Sequence, residues 1–546
     1  MKKIYLGVLA LAATLSFTAC SNDKLDIPQR GVKTTEEYVT ADDDEVVDMI
    51  SAIYSKIHGN TFSWFMSKTM DSYASMQYEL ARMGGELAEH YQYNETAESN
   101  TYSMAWSYYY TVCYWCNMLI DGLQSNNVAS AATKTKITAE ARTIRAIMMM
   151  NLVQLYGNPP LADHILTGKE GNPPAAESWA FIEKELAEAA EDLPSKSSVD
   201  GQAAIGGRLT KEAAYAYLGK AYLWAGDYNK AAEVLYDKVI STGKYALVSD
   251  YNSLNSSASD FCSENIWEYE ITDKAGMEQS QDGVFDLALF GLPNGSINVP
   301  SVFRQSTCFG FGSTPSKEFG EFMETHEKTA DGKLSQRYHG TLATYEELLS
   351  DYSYSGEKGV KQQVDNCQGY FRIKDQTLQA DVMGGQYYAQ QFTKKNTVFM
   401  RYSEVLLNYA EAVAMGGKPG ALSGLEALNM VRRRAGLSDA PALDMNNATY
   451  GVKAEREAEL FYEGDRFIDL VRWGDAATVL ADCGTKDFKF NGYQNGDNAT
   501  VQSKDQWKIV ESPTVGKGFK KGKNELFPIP AVDRNNDPNL AQNPNW

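Results

Sequence analysis

The chain has 546 residues, 43% of them hydrophobic and 22% charged, and its 51 basic and 71 acidic residues give a formal net charge of −20 at pH 7. This composition is ordinary for a folded protein in water, and the length allows sizeable cores without disulfide or metal support. A surface this acidic repels phosphate backbones, which argues against nucleic acid as a partner.

The first twenty residues have the pattern of an export signal. Met1-Lys2-Lys3 precedes an apolar run from Ile4 to Ala13, which is too short to span a bilayer. Small residues then lead directly into Cys20, as in bacterial lipoprotein signals. We expect residues 1–19 to be removed and Cys20 to be lipidated; the alternative is a plain secretory signal with an incidental cysteine.

Helical periodicity dominates the N-terminal half. The acidic run Asp42 to Glu45 precedes apolar residues at helical spacing, so these carboxylates are predicted to favour a helix N-terminus rather than to bind calcium. Further apolar periodicity predicts helices at Met104 to Leu123, Ala139 to Leu155, Trp179 to Leu193, Lys211 to Ala225 and Tyr228 to Ile240.

Two of these helices fit a tetratricopeptide pair. The spacing of Leu218, Gly219 and Tyr222, followed by Gly226-Asp227 and Ala231, matches that repeat, and the small residues Gly219 and Ala231 permit close helix contact. One such unit cannot bury its apolar face alone, so several helix pairs in a superhelix are predicted.

The pattern changes after about residue 249. Residues 249–396 are rich in Gly, Ser, Asn and aromatics, which predicts loops, short strands and short helices; we call this range the insert. Helical signal returns at Tyr402 to Val413, Ala421 to Ala435 and Lys453 to Trp473. The predicted organisation is therefore a signal at 1–19, a helical region at 20–248 and a C-terminal region at 249–546, in which helical scaffold returns at 397–475.

Several ordered blocks resemble the SusD/RagB family of outer-membrane lipoproteins. They are Ala139 to Ala146 running on to Gln154-Leu155-Tyr156-Gly157-Asn158-Pro159-Pro160-Leu161, then Arg401 to Ala412, the helix Asn429 to Leu437, Glu455 to Gly474, Glu525 to Pro530 and Pro538 to Pro544. Together they cover essentially the whole mature chain. The resemblance implies a mainly α fold, a tetratricopeptide-type superhelix with a loop-rich subdomain carrying a few short strands. It also implies a lid over a SusC-type TonB-dependent transporter, with ligand captured between the two.

The charged residues of these blocks could be read as a pocket. They recur at helical spacing beside apolar residues, so structural ion pairs are favoured for Arg401, Glu404, Arg432, Arg433, Glu457, Arg466, Asp469 and Arg472. Phe527-Pro528-Ile529-Pro530, with two prolines, is predicted to lie extended against the helices.

Enzyme motifs are absent from the sequence. Five scattered histidines accompany no H-E-x-x-H, G-x-S-x-G or Walker-type pattern, so no enzyme activity and no cofactor are predicted. Cys113 and Cys116 form a C-x-x-C inside an aromatic helix, which favours buried thiols over a zinc site.

Sugar recognition requires aromatic platforms beside hydrogen-bonding side chains, so aromatics in polar or irregular stretches are the ligand-site candidates. The polar stretch from Glu89 to Glu95 is the most telling. The candidates are Trp64, Asp71, Tyr73, Arg82, His90, Tyr91, Tyr93, Asn94, Trp267, Phe303, Arg304, Phe309, Phe311 and Tyr338.

The expected function is non-catalytic capture of an oligosaccharide or polysaccharide at the cell outer membrane, for delivery to a SusC-like transporter. Capture of oligopeptides is the alternative within the same family, and it would favour backbone hydrogen bonding and apolar pockets. A surface glycoside hydrolase, with two carboxylates in one cleft, is less favoured, and a purely structural lid also fits the sequence.

Overall fold

The computed structural model describes residues 35–57, 77–78, 92–197, 206–271, 314–344, 347, 369–376, 378–382, 393–491, 508–513 and 516–546. The α-helices are α1 (Thr35–Thr40), α2 (Asp43–Ile57), α3 (Asn100–Ser125), α4 (Ala131–Tyr156), α5 (Ala175–Asp192), α6 (Lys211–Ala225), α7 (Tyr228–Lys238), α8 (Lys317–His326), α9 (Gln336–Thr341), α10 (Tyr402–Ala414), α11 (Gly424–Ala435), α12 (Val452–Glu459), α13 (Asp465–Trp473), α14 (Ala476–Val479) and α15 (Ala531–Asn536). The strands are β1 (Gln77–Tyr78), β2 (Asn265–Tyr269), β3 (Thr314–Pro315), β4 (Leu342–Thr344), β5 (Tyr370–Arg372), β6 (Thr397–Arg401), β7 (Lys486–Asn491) and β8 (Lys508–Pro513).

Successive helices stack on one another. Helix α3 packs on α4, α4 on α5, α5 on α6 and α6 on α7, and α10 then packs on α7 and α11 on α10. This array confirms the predicted mainly α fold built from helix pairs. We call it the scaffold.

The α6–α7 pair shows how the local sequence sets this geometry. The Thr210 hydroxyl caps α6 by accepting from the Ala213 amide, and the helix ends at Gly226 in the left-handed region (φ 77°). The Asp227 carboxylate then caps α7 by accepting from the Lys230 amide. A side chain at Gly219 would meet Leu235 of α7, with a Cβ only 2.4 Å from the Leu235 side chain. The predicted close contact at Gly219 is confirmed.

The acidic run before α2 is a helix cap, as predicted. The Asp42 amide donates to the Glu45 carboxylate and the Glu45 amide donates to the Asp42 carboxylate, both at 3.0 Å. This reciprocal capping box satisfies two donors at the start of the helix.

The predicted continuous helix from Lys453 to Trp473 is wrong in one respect. The chain forms α12 and α13, separated by residues 460–464, in which Tyr462 (φ 66°) and Gly464 (φ 90°) have left-handed backbones. Leu460 and Phe461 are nevertheless buried, so apolar spacing continues through the turn and hides it.

The described parts of the insert contain short elements, as predicted. Strand β2 pairs antiparallel with β6, and β4 pairs with β5. Because β6 runs directly into α10, the β2–β6 ladder fastens the insert to the scaffold. Buried residues of both parts, such as Phe319, Tyr338, Leu235 and Tyr409, belong to one continuous hydrophobic core.

The C-terminal Phe527-Pro528-Ile529-Pro530 segment lies against the helices. Phe527 and Ile529 are fully buried. The Phe527 amide donates to the Leu155 carbonyl at 2.7 Å, and its ring packs on Tyr102 and Tyr156. The segment therefore covers the end of α4 and confirms the extended packing predicted for it.

Candidate functional site

Many of the predicted ligand residues fall outside the described residues. These are Trp64, Asp71, Tyr73, Arg82, His90, Tyr91, Phe303, Arg304, Phe309 and Phe311, together with the predicted lipidation site Cys20. Their roles stay predictions.

Tyr93 and Asn94 are the described candidates of the polar stretch from Glu89 to Glu95. Tyr93 has a left-handed backbone (φ 51°) and a buried ring that meets Phe519 edge to face at 5.5 Å between centroids. The Asn94 side-chain amide donates to the Gln92 side-chain oxygen at 3.0 Å. The Gln92 backbone carbonyl accepts from the Lys517 backbone amide at 2.8 Å. The C-terminal end of the stretch is therefore held against the body of the protein.

Trp267 and Tyr338 are in the core. The Trp267 ring lies between Tyr217 (5.8 Å) and Phe399 (4.6 Å), and it is 2% exposed. Tyr338 is fully buried, and its hydroxyl donates to Glu347 at 3.3 Å. Neither ring is accessible as a stacking platform, because each is enclosed by the packing of the insert on the scaffold.

A two-residue ladder joins the two regions that hold the other candidates. Strand β1 pairs antiparallel with β3, with Gln77 opposite Pro315 and Tyr78 opposite Thr314. Strand β1 lies between Tyr73 and Arg82 in sequence, and β3 directly follows the stretch from Phe303 to Phe311. The ladder thus places residues 77–78 beside residues 314–315, more than 200 positions later in the chain, which the sequence did not show.

The structure also contains a cleft that sequence reasoning missed. It lies where α4 and α6 meet the insert and the α12–α13 turn, and it encloses about 160 Å³. Its lining includes Asn151 and Gln154 of α4 and Tyr217 and Lys220 of α6. A signal for it was present in the sequence, since Asn151 and Gln154 stand three residues apart on one face of the otherwise apolar C-terminal part of α4.

The charged residues of the ordered blocks form ion pairs, as their helical spacing predicts. Arg401 contacts Glu264 (2.6 Å), Glu459 (2.8 Å) and Glu463 (2.5 Å), and Arg432 contacts Glu455 at 2.8 Å. The remaining pairs are Glu404 with Lys220, Glu457 with Arg466, Asp469 with Arg456 and Arg472, Arg472 with Glu411, and Arg433 with Glu426 and Asp439.

Glu459 lies at the centre of a buried group of charges, which we call the ionic core. Its other members are Arg337, Arg401, Arg434, Glu264, Glu327 and Glu455. Burial would raise its pKa, but Arg434, Arg401 and Arg337 outweigh burial and hold the pKa of Glu459 well below its usual range. Arg337 belongs to the insert and contacts Glu327, Glu455 and Glu459 at 2.6, 2.6 and 3.0 Å. The ionic core therefore connects the insert to the scaffold.

The thiols of Cys113 and Cys116 are buried, as favoured from the sequence, and burial raises the pKa of Cys113 to about 12. Within the described ranges, no three His, Cys, Asp or Glu side chains are placed to hold a metal ion together. Of the helices in the described part of the chain, none is both long and apolar enough to cross a bilayer.

Residues 263–546 match the sequence model of the SusD family, and residues 31–223 match a model described as "Starch-binding associating with outer membrane". The chain belongs to the SusD family. A SusD-like protein of Bacteroides ovatus is 24% identical over 496 residues, which cover 86% of this chain and 82% of that protein.

Solved structures share the SusD-type fold. A laminarin-binding SusD-like protein is 22% identical, with a TM-score of 0.71 over 92% of this chain and 100% of that one. Surface glycan-binding protein A from Bacteroides thetaiotaomicron, in complex with laminarihexaose, is 18% identical, with a TM-score of 0.69 over 92% and 100% of the two chains. The scaffold and insert are therefore the SusD architecture.

Proposed function

We propose that this SusD-family chain captures oligosaccharides without cleaving them and delivers them to a SusC-like TonB-dependent transporter. Cys20 would carry the lipid that anchors it at the cell outer membrane. The observation that carries the proposal is the β1–β3 ladder, which pairs Gln77 and Tyr78 with Pro315 and Thr314. In the sequence, each strand adjoins a stretch of aromatic and hydrogen-bonding residues.

Candidate aromatic residues stand close to the ladder in sequence. Tyr73 is four residues before Gln77, and Phe311 is three residues before Thr314. The proposed ligand of several sugar rings binds beside the ladder.

The chemistry of these stretches favours sugar. An aromatic ring packs against the apolar C–H face of a sugar, and neighbouring Asp, Asn, His and Arg side chains bind its hydroxyls. Both types of residue occur together at Asp71 and Tyr73 and again from His90 to Asn94. The names of the structural relatives, which specify laminarin and laminarihexaose, support the same ligand class.

A non-catalytic role is supported by how the acids of the ionic core are used. Glu264, Glu327, Glu455 and Glu459 each contact at least one arginine. A glycosidase needs one carboxyl kept protonated and a second one close to it across the bond to be cleaved. The acids of the ionic core are instead held by guanidinium groups.

The test is calorimetric titration of the anchor-free chain, residues 21–546, with laminarihexaose, other oligosaccharides and oligopeptides, with product formation followed by chromatography. We expect saturable heat with a sugar and no product. Tyr91→Ala should weaken binding by tenfold or more, about 1.4 kcal/mol or above. The matched control is Tyr114→Ala, at an exposed tyrosine of α3 outside both stretches.

The other outcomes discriminate the alternatives. Binding of peptides alone would replace the sugar ligand with an oligopeptide, and cleavage of the sugar would overturn the non-catalytic role. If the Tyr91 and Tyr114 variants lose affinity equally, the proposed location of the binding site near the ladder is contradicted.

A further inference from the structure

The cleft between scaffold and insert is lined by both polar and apolar side chains. Its lining includes Gln154 of α4, Tyr217 of α6, the insert residues Tyr251 and Asn265, and Phe399 of β6. Its volume of about 160 Å³ is well below that of pockets for drug-sized ligands, which start at about 300 Å³. It exceeds by far the 10–15 Å³ or so that one water needs. The space suits a single small molecule.

The cationic side chains that line the cleft already form ion pairs with acidic residues. Lys220 contacts Asp465 (2.6 Å) and Glu404 (2.8 Å). Lys395 contacts Asp375 at 2.7 Å, and Lys374 is paired with Glu463. The fourth cation of the lining, Arg401, belongs to the ionic core. An anion or a cation entering the cleft would have to compete with these pairs, so the lining favours an uncharged ligand.

Uncharged hydrogen-bonding groups remain. Among the described residues, both amide atoms of Gln154, the Asn265 side-chain oxygen and the Tyr251 hydroxyl lack a hydrogen-bond partner. These three side chains are 3%, 1% and 1% exposed. Buried polar groups are normally paired, and Gln154 calls for a partner that both donates and accepts. Hydroxyl groups meet that requirement.

Apolar surface completes the lining. Tyr217 and Phe399 present aromatic rings, and Met150 and Ile468 present aliphatic surface. A sugar ring has hydroxyls at its edge and C–H groups on its faces, so it matches amides and a phenol combined with aromatic walls. A purely apolar molecule would leave Gln154 unpaired.

We infer that this cleft is a second binding site, which takes one neutral monosaccharide or a cyclic polyol of similar size. The site uses only described residues of α4, α6, β6, α13 and the insert, and it is independent of the proposed surface site near the β1–β3 ladder. Because the cleft lies between the two parts, occupancy strengthens their contact.

The test is calorimetry and thermal unfolding of residues 21–546 with glucose, galactose and myo-inositol, with glucuronate as the charged analogue. We expect a neutral compound to bind and to raise Tm, and glucuronate to bind at least about tenfold more weakly. Two variants address the site: Gln154→Leu removes the amide, and Leu254→Trp fills the cleft from a half-buried lining position. Gln124→Leu, on the exposed face of α3, is the matched control.

Both cleft variants should lose the ligand-induced rise in Tm while keeping a cooperative unfolding transition without ligand; Gln124→Leu and Tyr91→Ala should keep the rise. This pattern separates the cleft from the proposed surface site. Absence of binding by every neutral compound would overturn the inference, as would binding that Tyr91→Ala abolishes and Gln154→Leu retains. If one cleft variant fails to fold, the other decides.

Discussion

Two adjacent arginines of α11 show how burial determines the contribution of an ion pair to stability. The Arg433 side chain is 46% exposed and contacts Glu426 (2.6 Å) and Asp439 (2.7 Å). Arg434 is 3% exposed and contacts the fully buried Glu264 (2.7 Å) and Glu459. Removing a buried partner leaves uncompensated charge in the core, whereas water replaces an exposed one.

We therefore expect Arg434→Met to lower the free energy of unfolding by about 3–5 kcal/mol. Arg433→Met, which changes the same residue type in the same helix, should leave the urea midpoint unchanged. Urea unfolding of both variants measures this. If the two substitutions lower the free energy of unfolding equally, the contribution of Arg434 to stability does not depend on its burial.

Asp260 makes stability depend on pH. Burial raises the pKa of this carboxyl to about 7, and Glu268 and Asp381 act in the same direction. The Asn396 amide at 3.0 Å and Lys395 oppose the rise. The folded protein holds this proton at pH values where the unfolded chain, with an ordinary pKa near about 4, has released it. The contribution of protonated Asp260 to folding stability is therefore fully present below about pH 4 and is lost as the pH rises to about 7.

Asp260→Asn removes this titration while its side-chain oxygen can still accept from Asn396. We expect the variant to gain about 1–2 kcal/mol relative to the unaltered protein between pH 5 and pH 8, after discounting for partial exposure of the group. Unfolding in urea at both pH values measures the difference. A constant difference across the range would contradict the shifted pKa.

At the scale of elements, the contact between α6 and α7 depends on Gly219. Alanine favours a helix by about 1 kcal/mol over glycine. Here, however, a new Cβ would lie 2.4 Å from Leu235, which is fully buried. Overpacking costs about 1–3 kcal/mol, so we expect Gly219→Ala to be destabilising on balance.

A double-mutant cycle with Leu235→Ala checks this. Leu235→Ala alone opens space, so Gly219→Ala should cost less in that background than in the unaltered protein. Thermal or urea unfolding of the four proteins gives the coupling free energy. A coupling near zero would place the cost of Gly219→Ala elsewhere than in the α6–α7 contact.

The elements also show what sequence can predict. Helices α3 to α7 follow from apolar periodicity and from caps such as Thr210 and Asp227, since these signals are local. The turn between α12 and α13 was missed because Leu460 and Phe461 keep the apolar spacing while Tyr462 and Gly464 turn the backbone. Apolar spacing reports which side chains are buried, not the local φ angle.

The candidate site is harder to predict because it depends on contacts between distant residues. Trp267 stands in a turn-rich part of the sequence, yet its strand pairs with β6, which begins 130 residues later. That pairing encloses the ring. Gln154 is hard to predict as a site residue because it lies in the apolar C-terminal part of α4, and only the packing of the insert places it in a cleft.

For the whole molecule, the ionic core makes scaffold and insert depend on each other. Arg337 of the insert is fully buried, and two of its three acidic partners, Glu455 and Glu459, belong to α12. If the insert opened alone, these carboxylates would remain in the scaffold without Arg337. Because both parts also share one hydrophobic core, opening either part exposes the other, and we expect them to unfold together.

Arg337→Met tests this coupling by hydrogen exchange measured by mass spectrometry over a urea series. If the two parts form one cooperative unit, amides of α6 and α7 should lose as much protection free energy as those of α8 and α9, about 3–5 kcal/mol in each. Lys333→Met, at an insert side chain that is 81% exposed, should change neither set. Loss of protection confined to α8 and α9 would instead mean that the insert opens on its own, with the scaffold acids taken up by water.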